Sequence, residues 1–233
     1  MNLSGVVPLP ISAADSGAAF VPLHTEPPLV RVVAALLAAI NEPERIVVGA
    51  AESLVGDVRD ILASDGLAAV SVFPVGGAPT RADCLRAGVE YLRQAAFSTS
   101  HVLVHDVSHP LASVELVTRV AATMREGGTV VMPMLAVTDS VKAVDELGAV
   151  TATVDRSPLR AVQFPRGYSL DALSEMLAQQ SSADFDEVAA AIGVVGTTTV
   201  VDGDRDAFRA ELPRDAEFVE AIIASRAPDP HGA

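Results

Sequence analysis

Two kinds of apolar pattern alternate along the first half of this chain. Short, mainly apolar runs at Gly5–Pro10, Arg45–Ala50, Ala68–Pro74, His101–Asp106 and Thr129–Met134 read as buried strands. Between them, apolar positions recur at helical spacing over Leu29–Ile40, Ser53–Ser64, Arg81–Ala95 and Ser113–Glu126. Ser53 and Ser113 stand where a hydroxyl side chain caps a first turn. Ile11–Pro28 reads as a loop. Regular strand-helix alternation predicts an α/β domain with a parallel sheet and right-handed crossovers.

The pattern changes after Met134. Thr138–Lys142 and Ala149–Val154 are β-like runs around the polar turn Asp145–Gly148, which predicts a hairpin arm. Leu159–Phe164 reads as a strand, Ser169–Gln180 and Phe185–Gly193 as helices, Thr197–Val201 as a strand, and Pro213–Arg226 as the final helix. We expect a single domain over 1–226 with its arm at 135–160, and a frayed tail over 227–233.

Composition narrows the partners. The chain has 233 residues, 50% hydrophobic but only 4% aromatic, so its core must be built from Val, Leu, Ile and Ala. A formal net charge of −14 makes nucleic acid a poor partner. Leu29–Ile40 is too short to span a bilayer and contains Arg31, so no membrane role is expected. Cys84 is the only cysteine, which fits a reducing cytoplasm and predicts a buried packing thiol.

Candidate chemistry concentrates at His101-Val-Leu-Val-His-Asp106. A buried strand here delivers a carboxylate to the sheet rim, where open α/β folds bind ligands. Such a carboxylate can hold a divalent metal between phosphate oxygens. The histidines have no paired spacing for zinc.

Several fragments, in order, resemble the methylerythritol-phosphate cytidylyltransferase family. They are Gly76-Gly77, Arg81-Ala-Asp83-Cys84, Val102-Leu-Val-His-Asp106, Val137-Thr138-Asp-Ser-Val-Lys142, Thr153-Val-Asp-Arg156, Gln163-Phe-Pro165 and Asp186-Glu187. The resemblance implies a Rossmann-like nucleotidyltransferase fold and a homodimer joined through a β-hairpin arm. It also implies CTP as cosubstrate, with Gly76, Gly77, Asp83 and Cys84 on the nucleotide side. Asp106 would be catalytic and hold Mg2+. Arg209 would be catalytic in place of a lysine. Thr138, Lys142 and Arg156 would bind the sugar phosphate. Asp186-Glu187 is read as a solvated helix face.

One part of the family pattern is missing. The family wraps the triphosphate with a glycine-rich loop, an arginine and a lysine near its N-terminus. Here residues 1–30 contain no lysine or arginine, and Asp15 adds negative charge. Losing one such contact costs about 2.7–4 kcal/mol of transition-state stabilisation. The expectation is therefore that cytidylyl transfer is lost or much weakened, and that the chain binds or regulates a phosphorylated metabolite. The alternative is a working enzyme with magnesium on Asp106 and Arg81, Arg86 or Arg166 as substitute cations. A structural subunit paired with an active relative is a third reading.

Overall fold

A computed structural model describes residues 2–10, 15–180, 185–195 and 198–226. In chain order these form β1 (Leu3–Leu9), the single turn α1 (Asp15–Ala18), α2 (Pro28–Ile40), β2 (Ile46–Ala51), α3 (Val55–Ser64), β3 (Ser71–Val75), α4 (Arg81–Gln94) and β4 (His101–Val104). Then come α5 (Val114–Arg125), β5 (Val130–Ala136), β6 (Val141–Val144), β7 (Val150–Val154), β8 (Arg160–Val162) and β9 (Arg166–Ser169). The chain closes with α6 (Leu170–Ala178), α7 (Glu187–Val195), β10 (Thr199–Asp202) and α8 (Ala216–Arg226).

The main sheet runs β10-β5-β9-β4-β1-β2-β3, with β8 paired to β5. β1 is parallel to both β2 and β4, and all its residues are buried. Its side chains alternate between two helical layers, as a pleat requires. Leu3, Val7 and Leu9 pack with Leu36 of α2 and Val120 of α5. Val6 packs on the other side with Leu85 of α4 and Leu173 of α6. Helix α4 lies close on the strand: a Cβ at Gly88 would sit 2.9 Å from Val6 Cγ1. Only glycine permits that approach.

Hydroxyl caps set two of the predicted helix starts. Ser113 Oγ accepts from the Leu116 N–H at 3.1 Å, and Ser169 Oγ accepts from the Ala172 N–H at 3.2 Å. Ser53 does not cap α3. It lies inside the 3-10 turn Glu52–Leu54, and the helix starts at Val55 without a side-chain cap. The last helix starts at Ala216 rather than Pro213, and β4 stops at Val104, leaving His105 and Asp106 just past its carboxyl end.

β9 is an element the hydrophobic pattern did not predict. It inserts antiparallel between β4 and β5, pairing Val104 with Arg166 and Val130 with Tyr168. The arm is present as β6 and β7, an antiparallel pair that forms its own two-stranded sheet among the described residues. Its base closes where Ala136 pairs with Arg160. Among the described residues no helix is long and apolar enough to cross a membrane. The tail expected to fray, 227–233, lies outside the described residues.

Candidate active site

A cleft of about 260 Å³ opens beyond the carboxyl ends of β1 and β4, where open α/β sheets place ligands. Pro8 and Pro10 form one side. Asp106 and Val107 enter from the end of β4, and Arg81 from the first turn of α4. Phe164, Arg166, the start of α7 and Arg209 complete it.

Sequence order explains why Arg81 points here. Thr80 caps α4: its Oγ1 accepts from the Asp83 N–H at 3.2 Å, while Asp83 Oδ2 accepts from the Thr80 N–H at 2.9 Å. That reciprocal cap contributes about 1 kcal/mol and fixes the helix start. It also occupies Asp83, whose other oxygen takes Arg86 Nη1 at 2.8 Å. Neither Asp83 nor Arg86 lines the cleft. Asp83, expected on the nucleotide side, thus caps α4, and Arg86, expected as a substitute cation, pairs with it. Gly76 and Gly77 are exposed in the loop before this cap, and Gly77 has φ +75°, a conformation that favours glycine. Cys84 is fully buried, at 0% exposure, as expected of a packing thiol. Burial pushes its thiol up to about 12.

Asp106 is held from three directions. Its Oδ1 accepts from the Ser108 N–H at 2.8 Å and from Ser108 Oγ at 2.6 Å. Its Oδ2 pairs with Arg81 Nη1. Its own N–H donates to His105 Nδ1 at 2.8 Å. Burial alone would raise the Asp106 carboxyl, but Arg81 and the Ser108 donors hold it well below the usual carboxylate range. His105 is fully buried, and burial, with His109 nearby, lowers it to about 3.

Asp186 is exposed, as expected, but Glu187 overturns the solvated reading for its own side chain. Its side chain is 1% exposed. Arg81 Nε donates to Glu187 Oε1 at 2.8 Å, and Arg166 Nη1 and Tyr168 OH donate to Oε2 at 3.1 and 2.8 Å. Burial would raise this carboxyl, and the two arginines reverse the shift. Phe164 sits beneath both guanidinium groups, 5.0 Å from Arg81 and 4.0 Å from Arg166, a stacked arrangement that suits arginine. Arg166 and Glu187 were not legible as partners because each depends on β9. Their available signal was charge scarcity: 16 basic side chains face 30 acidic ones, so an arginine in an apolar segment is seldom unpaired.

Arg209 lines the same cleft, with no carboxylate partner among the described residues. It also borders an adjoining hollow of about 320 Å³ that includes His109 and Thr138. Lys142 and Arg156 are not in either space. Lys142 Nζ donates to Thr153 Oγ1 at 2.8 Å across the arm, and Arg156 donates to the Thr138 carbonyl. Residues 11–14, within the stretch replacing the triphosphate loop, lie outside the described residues.

Among the described residues no cluster of three His, Cys, Asp or Glu side chains could cage a metal. One ionised, half-buried carboxylate nonetheless fits a magnesium ion that shares phosphate oxygens, because Mg2+ needs few protein ligands.

A family profile described as 2-C-methyl-D-erythritol 4-phosphate cytidylyltransferase (IspD) matches residues 12–225. The enzyme of that name from Frankia casuarinae is 37% identical over 204 residues, covering 87% of this chain and 72% of its own. The Rhodococcus jostii enzyme is 34% identical over 205 residues, covering 88% and 86%. The crystal structure of the Thermus thermophilus cytidylyltransferase superposes with a TM-score of 0.74 at 26% identity, covering 96% of this chain and all of that one. These findings overturn the expectation of lost transfer: relatives at this identity, over most of the chain, carry the name of the working enzyme. A match that runs through both the altered N-terminal stretch and the Asp106 cleft leaves one assignment: the chain belongs to the 2-C-methyl-D-erythritol 4-phosphate cytidylyltransferase family.

Proposed function

We propose that this chain is an active cytidylyltransferase. It joins the cytidylyl group of CTP to the phosphate of 2-C-methyl-D-erythritol 4-phosphate and releases pyrophosphate. The observation that carries this reading is the convergence of Arg81, Arg166 and Arg209 on the cleft that Asp106 enters. These arginines lie where phosphates would bind, and residues 1–30 offer no cation of their own.

Asp106 would hold magnesium. When bound, the ion would neutralise phosphate charge as pyrophosphate leaves. Arg209, with no carboxylate partner among the described residues, is the side chain best placed to grip an incoming phosphate. Arg166 keeps its position through Glu187 and Phe164, so its charge is preorganised. The Ser108 donors keep the Asp106 carboxylate ionised and aimed.

Substrate-side duty for Thr138, Lys142 and Arg156 requires a second copy, because the latter two lie on the arm outside this cleft. A homodimer through the arm supplies that copy, and the exposed Val144, Leu147 and Val150 give it an apolar surface. A cytoplasmic location goes with this reading, supported by the biosynthetic family and the single buried thiol.

The test is pyrophosphate release with CTP, magnesium and the sugar phosphate. Asp106→Ala should abolish it, and Arg209→Ala should lower kcat by about a hundredfold. No release from the unsubstituted protein above a protein-free blank would end the proposal.

A further inference from the structure

Arg81 spans two carboxylates from one guanidinium. Nη1 meets Asp106 Oδ2 and Nε donates to Glu187 Oε1 at 2.8 Å. Nη2 is buried and has no acceptor among the described residues. The other Asp106 oxygen already takes two donors from Ser108. Both oxygens of the carboxylate are thus engaged by the protein itself.

We infer that Arg81 is a positioning residue that serves as a resident counter-ion for Asp106, ties up Oδ2, and yields it to a divalent cation only when nucleotide phosphates arrive. This rests on the reading of Asp106 as the magnesium ligand.

The physical case is a competition. A divalent ion approaching Asp106 alone must displace a positive group at hydrogen-bond distance and shed water, which magnesium does reluctantly. A triphosphate changes both sides of the balance. Its oxygens would share the ion with Asp106 and would offer an acceptor to the unpartnered Nη2 of Arg81. An unmade bond at a buried donor costs about 1–3 kcal/mol, so filling it favours the exchange. The Nε bond to Glu187 gives the guanidinium a fixed pivot, so releasing Asp106 does not require the side chain to leave the cleft. Metal binding becomes contingent on nucleotide.

The experiment is manganese titration of the full chain, read by the electron spin resonance of free Mn2+. Without nucleotide, Arg81→Gln should bind Mn2+ about tenfold more tightly than the unsubstituted protein. Arg81→Lys, which cannot bridge both carboxylates, should fall between them. A general loss of structure would weaken binding, so a gain identifies the counter-ion role. Arg81→Lys carries the same comparison if Arg81→Gln melts below the assay temperature. Folded Arg81 variants that bind Mn2+ no more tightly than the parent overturn the inference. Failure of the underlying reading is separate: it appears as Asp106→Asn binding Mn2+ normally in the presence of CTP.

Discussion

Arg81 Nε and Glu187 Oε1 lie 2.8 Å apart although 106 residues separate them in the chain. The contact joins the first turn of α4 to the first turn of α7, and Arg166 and Tyr168 meet the same carboxylate from β9. Removing one partner from such a cluster leaves buried charge uncompensated. Glu187→Ala should therefore cost about 3–5 kcal/mol of stability. Urea unfolding measures this, and a loss under about 1 kcal/mol would mean that the arginines find water instead.

Acid should destabilise the fold before ordinary carboxylates titrate. Burial lowers His105 to about 3 and His109 to about 4, against an ordinary 6.5. Between those values the unfolded chain binds protons that the folded chain refuses, so stability falls as pH drops from about 6.5 towards 4. His109 alone would contribute roughly 3 kcal/mol to that loss. Asp106 and Glu187, both depressed, add to it with the same sign at still lower pH. Thermal melts from pH 7.5 to 4.5 (about three units) check the slope. A flat profile down to the lower end contradicts neutral, buried imidazoles.

Cys84 should be inert in the native protein. A thiol held near 12 has almost no thiolate at neutral pH, and it is fully buried. Iodoacetamide should leave it unmodified natively and alkylate it in urea. Native labelling at the denatured rate would show that the α4 packing opens.

The arm should matter for assembly and for one substrate. Leu147 is 94% exposed at its tip. Leu147→Asp should shift the protein to the monomer mass by light scattering while leaving its melting temperature within a few degrees, because the arm forms a two-stranded sheet separate from the main one. Lys142→Ala should raise KM for the sugar phosphate about tenfold and leave KM for CTP unchanged. Equal effects on both would remove Lys142 from the substrate side.

Much of the framework was legible because β1 to β4 are short apolar runs, each followed by a helical repeat. The caps at Ser113 and Ser169 stand where their local sequence places them. Asp106 was legible because it follows such a run. β9 was not: Arg166-Gly-Tyr-Ser169 is four residues long, follows a proline and contains a glycine. Its strand character comes from the ladders of β4 and β5 on either side. Glu187 was illegible for the same reason, since an acidic pair at a helix start looks solvated until distant arginines arrive. The lack of N-terminal cations was read correctly from the residues. The loss of activity expected from that lack is overturned by relatives at 34–37% identity that carry the enzyme's name, and the cleft is lined by arginines from three separate segments.

The insertion of β9 has a mechanical result. With neighbours hydrogen-bonded along both edges, this strand cannot slide without breaking two ladders at once. Arg166 therefore belongs to a fixed jaw. Pro8, across the cleft, lies on β1, which is likewise paired along both edges, so both walls are anchored in one sheet.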